Sequence, residues 1–133
     1  PFRPTSLFSR STEVLIEAMK AHGVRRLLAV TGLGCGDSIR VLSRVEILAR
    51  DLVLGPVYRD KNLQEMMIRN SGLDWTIVRP AFLTSMPRTG RYRVMTEASG
   101  WRNGLISRAD VADFLVTQVE REEFVGSAPV LAY

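Results

Sequence analysis

Tyr58 and Lys61 lie three residues apart in a stretch with helical spacing, which sets a phenol and an ammonium on one face. A positive charge beside a phenol favours its ionised form, so such a pair can hold and release a proton. The same spacing also fits an ordinary pair of neighbours. Lys61 and Glu65, four apart, read as a surface ion pair worth a few tenths of a kcal/mol. A third group with chemical potential is Cys35, in the run Gly32-Leu33-Gly34-Cys35-Gly36-Asp37-Ser38. The thiol is expected to be partly exposed there, with no base or helix terminus nearby to lower its pKa. Glycines let a backbone approach a ligand closely. The run is no dinucleotide fingerprint, because no glycine opens a helix with an acidic residue about 20 positions on. A plain turn between strand and helix fits it equally. With His22 as the sole histidine there is no metal-ligand cluster, and the absence of a G-x-S-x-G elbow excludes a serine hydrolase of that type.

These groups need elements to hold them. In Leu73-Asp74-Trp75-Thr76-Ile77-Val78-Arg79-Pro80, Trp75 to Val78 reads as a buried strand, entered through the Ser71-Gly72 turn and stopped by Arg-Pro. In open α/β sheets ligands sit beyond the carboxyl ends of the strands. Ala81, Phe82, Leu83 and Thr84 are therefore where a bound molecule is expected. Arg26 to Thr31 is a second short apolar run, the signature of a parallel strand covered on both faces. Ser9 to Glu13 offers a helix N-cap region, Val14, Leu15, Ala18 and Met19 recur at helical spacing, and Gly23 ends that helix. Ile39 to Leu54 reads as an amphipathic helix broken by Gly55-Pro56, and Val57 to Asn70 as the next. Arg91 to Thr96 alternates as a short strand, Ser107 caps a helix whose core face is Val111, Ala112, Phe114, Leu115 and Val119, and Ala128 to Tyr133 is a last strand. Trp75, Met66 and Met67 read as packing residues, and His22 as a helix C-terminal residue. Alternating helices and strands imply an α/β fold with right-handed crossovers and a parallel sheet.

The chain has 133 residues, with 46% hydrophobic and 24% charged residues, ordinary values for one globular domain. No apolar run approaches the ~20 residues of a membrane span, so no membrane partner is expected. One cysteine cannot form an internal disulfide, which fits a reducing, cytoplasmic setting. The net charge is +4, and the basic residues are arginines save Lys20 and Lys61. They are scattered among acidic residues, without the interleaved aromatics of a nucleic-acid groove, so no nucleic acid is expected. The strand at Leu27 to Thr31 is too apolar for a free edge. Nothing between Pro1 and Ser9, which is short and carries two prolines, can supply a neighbouring strand, so the neighbour is expected upstream.

Several phrases occur together and in order: Val30 to Ser38, Asp60 to Glu65, Ser71 to Pro80, Thr89-Gly90-Arg91-Tyr92-Arg93 and Ile106 to Phe114. From about Pro4 to Tyr133 the chain resembles the atypical short-chain dehydrogenase/reductases that bind NAD(P)H, the group containing biliverdin reductase B-like flavin reductases and NmrA-like proteins. The resemblance implies the C-terminal part of a Rossmann-like doubly wound parallel sheet. Residues 1–133 would be a partial NAD(P)-binding domain lacking the N-terminal glycine-rich βαβ unit, which holds the pyrophosphate and ribose contacts.

What the resemblance leaves in this chain is the nicotinamide side of the cofactor, NAD(P)H and in expectation NADPH. Thr31 and Gly32 would end a strand lining it, Lys61 would bond the nicotinamide ribose, and Pro80, Ala81, Phe82 and Leu83 would wrap the nicotinamide ring. Tyr58 and Lys61 are the catalytic candidates, with two departures. A Tyr-x-x-x-Lys pair would put tyrosine where Val57 stands, one residue from Tyr58, and a serine common after this strand is Gly32 here. Hydride transfer to a flavin-, quinone- or carbonyl-type small molecule is the expected reaction, in a pocket built from Phe82, Leu83, Met86 and the Ile39 to Leu54 helix. The alternatives are a non-catalytic NAD(P)-sensing module of the NmrA type, and an interaction protein whose Ile39 to Leu54 helix forms a homodimer surface.

Overall fold

In the computed structural model, which describes residues 5–133, the chain is a parallel sheet covered by helices on both faces. The order is α1 (Leu7–Ala21), β1 (Arg26–Val30), a 3-10 turn (Gly36–Val41), α2 (Arg44–Arg69), β2 (Asp74–Pro80), β3 (Phe82–Thr84), β4 (Arg93–Met95), β5 (Leu105–Ser107), α3 (Arg108–Gln118) and β6 (Val130–Ala132). The main sheet runs β1-β2-β6-β4, parallel except for β4, which pairs antiparallel to β6. β3 and β5 form a short parallel pair beside it. This is a Rossmann-like α/β fold. Pro1 to Pro4, where the resemblance begins and the proline-containing segment starts, lie outside the described residues.

Strand periodicity divides the core. Ile77 packs with Ile16, Met19, Leu27, Ile68 and Leu73 beneath α1 and α2, while its neighbour Val78 packs with Ile106, Val111, Phe114 and Leu131 beneath α3. Side chains one residue apart on a strand point to opposite faces, so β2, buried from Thr76 to Pro80, places apolar residues on both, and its two buried polar residues, Thr76 and Arg79, are held by hydrogen bonds. β1 pairs only with β2 among the described residues, and Val30 at its end is 38% exposed.

Several sequence expectations shift. The helix expected over Ile39 to Leu54 and the one over Val57 to Asn70 are a single helix, α2, and Gly55-Pro56 lies inside it. A proline removes one N–H and deprives the carbonyl four residues back. That residue, Leu52, is on the exposed side, where water can serve its carbonyl. The true start is a capping box: the Ser43 hydroxyl accepts from the Glu46 N–H, and the Glu46 carboxylate accepts from the Ser43 N–H. Residues 39–41 belong instead to the 3-10 turn.

Helix α1 buries Ser9, Thr12, Ile16 and Met19, so Val14 and Leu15 face outward, a quarter-turn from the expected core stripe. It has no side-chain cap of its own. Asp60 of α2 supplies it, accepting the Phe8 and Ser9 N–H groups and the Ser9 hydroxyl. On α3, Val111 and Phe114 are buried but Ala112 is exposed, as is Val119 just past its end. Met66 is also exposed, whereas Met67 and Trp75 pack on the core. β3 and β5 were not evident in the sequence.

Candidate functional site

The carboxyl ends of β1 and β2 converge where α2 passes over them. Thr31, just past β1, donates its N–H to the Val78 carbonyl (2.9 Å) and is 3% exposed. Its side chain turns inward, donating to Glu65 Oε1 at 2.7 Å. What Thr31 presents at the sheet edge is its carbonyl, which accepts from Lys61 Nζ at 2.9 Å. The ammonium also lies 5.1 Å from the centre of the Phe8 ring. A lysine has three N–H donors, and one is engaged by Thr31.

The Lys61–Glu65 surface ion pair does not form. Glu65 is 2% exposed and pairs with Arg79, which is wholly buried: Arg79 Nε donates to Oε1 at 3.0 Å and Nη2 to Oε2 at 2.7 Å. Arg79 Nη2 also meets Asp37 at 2.8 Å, and its guanidinium lies 5.4 Å from the Trp101 ring centre. Burial works against the charge, but the bonds to Glu65 and Asp37 outweigh it and raise the Arg79 pKa. This cluster joins β1, β2, α2 and the glycine loop underneath the site. The glycines serve that join. Gly36 sits at φ +54°, and a Cβ there would come within 2.5 Å of Glu65 Oε2 and 2.7 Å of Arg79 Nη2. Cys35, expected to be partly exposed, is instead completely buried, and burial pushes its thiol up to about 11.

Above this platform a pocket of about 220 Å³ opens between Pro80, Ala81 and Phe82 on one side and Tyr58 and Arg50 on the other. Phe82 is 72% exposed and forms one wall. Tyr58 is half-buried, with the Arg50 guanidinium 4.3 Å from its ring centre. Burial raises the Tyr58 pKa and the adjacent Arg50 charge opposes that rise. At its rim Asn103 Nδ2 donates to Glu46 Oε1 (3.1 Å), and nearby in the chain the buried Trp101 Nε1 donates to the Met95 carbonyl (2.9 Å). Gly32 adjoins the pocket. A Cβ at Gly32 would meet nothing within 4 Å but the Tyr58 hydroxyl at 4.0 Å.

Thus Tyr58, Pro80, Ala81 and Phe82 share one pocket, and Thr31, Gly32 and Lys61 form a second group joined to it across the Gly32–Tyr58 gap. Leu83 turns away to pack under α3, and Met86 is exposed outside the pocket. The sequence reading missed Arg50, Glu46 and Asn103. A roomier hollow between Arg25, Asp74 and Glu122 lies at the amino ends of β1 and β2, the end of a parallel sheet where ligands are not expected. Among the described residues no group of three metal-ligating side chains converges, and no helix is long and apolar enough to cross a membrane.

This architecture is that of NAD(P)-binding Rossmann proteins, and a family model described as NAD(P)H-binding matches residues 3–122. The chain belongs to that family. Among solved structures it is similar to ChuY, an anaerobilin reductase of Escherichia coli O157:H7, with a TM-score of 0.83 and 27% identity over 98% of this chain and 61% of that one. A short-chain dehydrogenase/reductase of Veillonella parvula solved with NADP shares the fold at a TM-score of 0.77 and 20% identity, covering 92% of this chain and 57% of that one. Curated relatives are an uncharacterised chloroplast protein of Arabidopsis thaliana, 30% identical over 92% of this chain, and an uncharacterised sugar epimerase, YhfK, of Bacillus subtilis, 28% identical over 80%. The chain spans 43% and 44% of their lengths, respectively.

Proposed function

We propose that this chain carries the nicotinamide side of an NAD(P)H site and that the protein to which it contributes is a reductase of a flavin-, quinone- or carbonyl-type small molecule. The observation that carries this is Lys61, anchored by the Thr31 carbonyl at the sheet's carboxyl edge, with two N–H donors that no other acceptor among the described residues takes up and that a ribose can use. The residues fit a nicotinamide. Gly32 leaves open space where a side chain would intrude, and Pro80 to Phe82 offer an apolar wall. When bound, the reduced nicotinamide supplies a hydride. The chain's own residues orient the reactants, exclude water and, at Tyr58, hold a proton.

The edge of β1, unpaired among the described residues, supports the rest of the reading, in which the sheet continues beyond β1 and the glycine fingerprint for the pyrophosphate lies there. The similarity to an anaerobilin reductase favours a reductase over an epimerase. NADPH is the proposed cofactor and the cytoplasm the proposed setting. Val45, Leu48 and Leu52, exposed on α2, are the face through which a homodimer would form, and an unchanged oligomeric state in Leu48→Asp would remove that idea.

The test is fluorescence titration with NADPH and NADH, beside a circular-dichroism melt. Saturable binding that weakens at least tenfold in Lys61→Ala is expected. A cooperative melt without binding would overturn the proposal. Gly32, which lacks the hydroxyl of a serine, favours the second reading, an NAD(P)-sensing module; binding without turnover of any acceptor is its signature.

A further inference from the structure

Resting on the hydride-transfer reading above, we infer that Arg50, and not Lys61, is the cation that serves Tyr58, making Tyr58 the proton donor to an acceptor reduced at a carbon–oxygen or carbon–nitrogen double bond. The geometry separates the two cations. Lys61 Nζ is committed to the Thr31 carbonyl and lies against Phe8. The Arg50 guanidinium lies over the Tyr58 ring, 4.3 Å from its centre, and is held there from two sides. Nη1 donates to the Gly34 carbonyl at 2.9 Å, while Nε and Nη2 donate to Asp51 Oδ1 at 2.9 and 2.7 Å. A planar guanidinium fixed in this way stacks on a ring as an ammonium on a flexible stem cannot.

The phenol faces the reacting volume. Tyr58 and Arg50 line the same pocket as Pro80, Ala81 and Phe82. The space a side chain would fill at Gly32 is bounded by the Tyr58 hydroxyl alone. An acceptor atom there can reach the hydroxyl without a serine between them. As the acceptor carbon takes a hydride, the double bond's electron pair moves to its oxygen or nitrogen. The Tyr58 O–H bond breaks, its proton joins that atom, and the phenolate left behind is stabilised by Arg50 until solvent returns a proton. The groups facing the phenol are Arg50 from α2, which favours the phenolate, and the Cys35 thiol from the glycine loop, neutral at physiological pH; Glu46 lies across the pocket. Arg50 is thus a positioning and charge-stabilising residue for Tyr58.

The experiment follows the tyrosinate absorbance with pH in the parent, Tyr58→Phe, Arg50→Gln and Arg50→Lys. NADPH-dependent reduction of 4-nitrobenzaldehyde, whose carbonyl carbon takes the hydride and whose oxygen takes the proton, is measured on the same samples, with melting curves. The Tyr58→Phe difference isolates the Tyr58 transition. In Arg50→Gln that transition is expected to move up by about one pH unit, and less in Arg50→Lys, which keeps the charge but not the stack. Turnover is expected to fall about 100-fold in Tyr58→Phe and by at least about tenfold in Arg50→Gln, with part regained in Arg50→Lys. An unmoved Tyr58 transition in Arg50→Gln overturns the inference, as does parental turnover in Tyr58→Phe. Should Arg50→Gln melt early, Arg50→Lys decides the same point, since its transition must fall between those of the parent and a neutral substitution. Failure to bind NADPH would sink the cofactor reading and leave the tyrosine titration standing.

Discussion

Replacing Glu65 with glutamine keeps the side chain's shape and removes its charge, and the effect can be worked from the platform beneath the site. In the parent, Arg79 has no exposed surface and two bonds to the Glu65 carboxylate, while Asp37, half exposed, contributes a third. Removing one partner of a buried ion pair leaves an uncompensated buried charge and costs about 3–5 kcal/mol. The surviving Asp37 contact places this case at the lower end. In a 133-residue chain each kcal/mol moves the midpoint about 3–4 °C. Glu65→Gln is therefore expected to lower Tm by roughly 10 °C. Thr31 loses a charged acceptor as well, so NADPH affinity should fall with stability. Glu65→Leu combined with Arg79→Met removes both charges, and such replacements are often neutral or stabilising. The double variant should then be more stable than Glu65→Gln. Urea melts at a single pH, arranged as a double-mutant cycle, measure the coupling. The reasoning is refuted if Glu65→Gln loses less than about 1 kcal/mol, or if the double variant is no more stable than the single one.

Asp110 gives a pH prediction. Burial alone would raise its pKa, but it accepts from Tyr133 Oη, the Gly90 N–H, and the Thr89 hydroxyl and N–H, and these hold it well below the usual carboxylate range. A depressed folded pKa contributes stability that is complete above the unfolded value of ~3.9 and is lost as pH falls below it towards the folded value. Asp110→Asn should therefore be less stable than the parent at pH 7, and the gap should narrow on acidification below about 4; melts at pH 7 and pH 3 read it. Cys35 should resist a thiol reagent at pH 8 in the folded protein, because its pKa is near 11 and it has no exposed surface, and react fully in denaturant; fast labelling of the native form would contradict the buried loop. Gly36→Ala should destabilise well beyond Gly72→Ala. Both glycines have positive φ, but a Cβ at Gly36 strikes Glu65 and Arg79 while one at Gly72 meets nothing within 4 Å; chemical denaturation of the pair measures the difference.

What could be read from the sequence depended on whether a signal was local. The strand was legible at Trp75 to Val78 because covering both faces favours a mostly apolar run, but Arg79 and Pro80, expected to stop it, are its last two residues, paired with Val130 and Leu131. Gly55-Pro56 misled because the penalty for an internal proline is also local, whereas the force that keeps α2 continuous comes from Asp60, Gln64, Glu65 and Ile68, buried against partners far along the chain. The Ser43-x-x-Glu46 box was a local signal in plain view, and it fixes the start of α2 at Arg44. Once α2 is one helix, Arg50 and Tyr58 are eight residues apart on it, about two turns, and so share a face. Splitting the helix at Gly55 hid that relation and left Lys61 as the evident companion of Tyr58. Glu65 was misread for the complementary reason. Its spacing to Lys61 permits a pair, but a buried arginine on β2 competes for the carboxylate, and in a low-dielectric interior the two-point contact prevails over one on the surface. Spacing states which groups can meet on one element, and only the packing between elements decides which partner each one keeps.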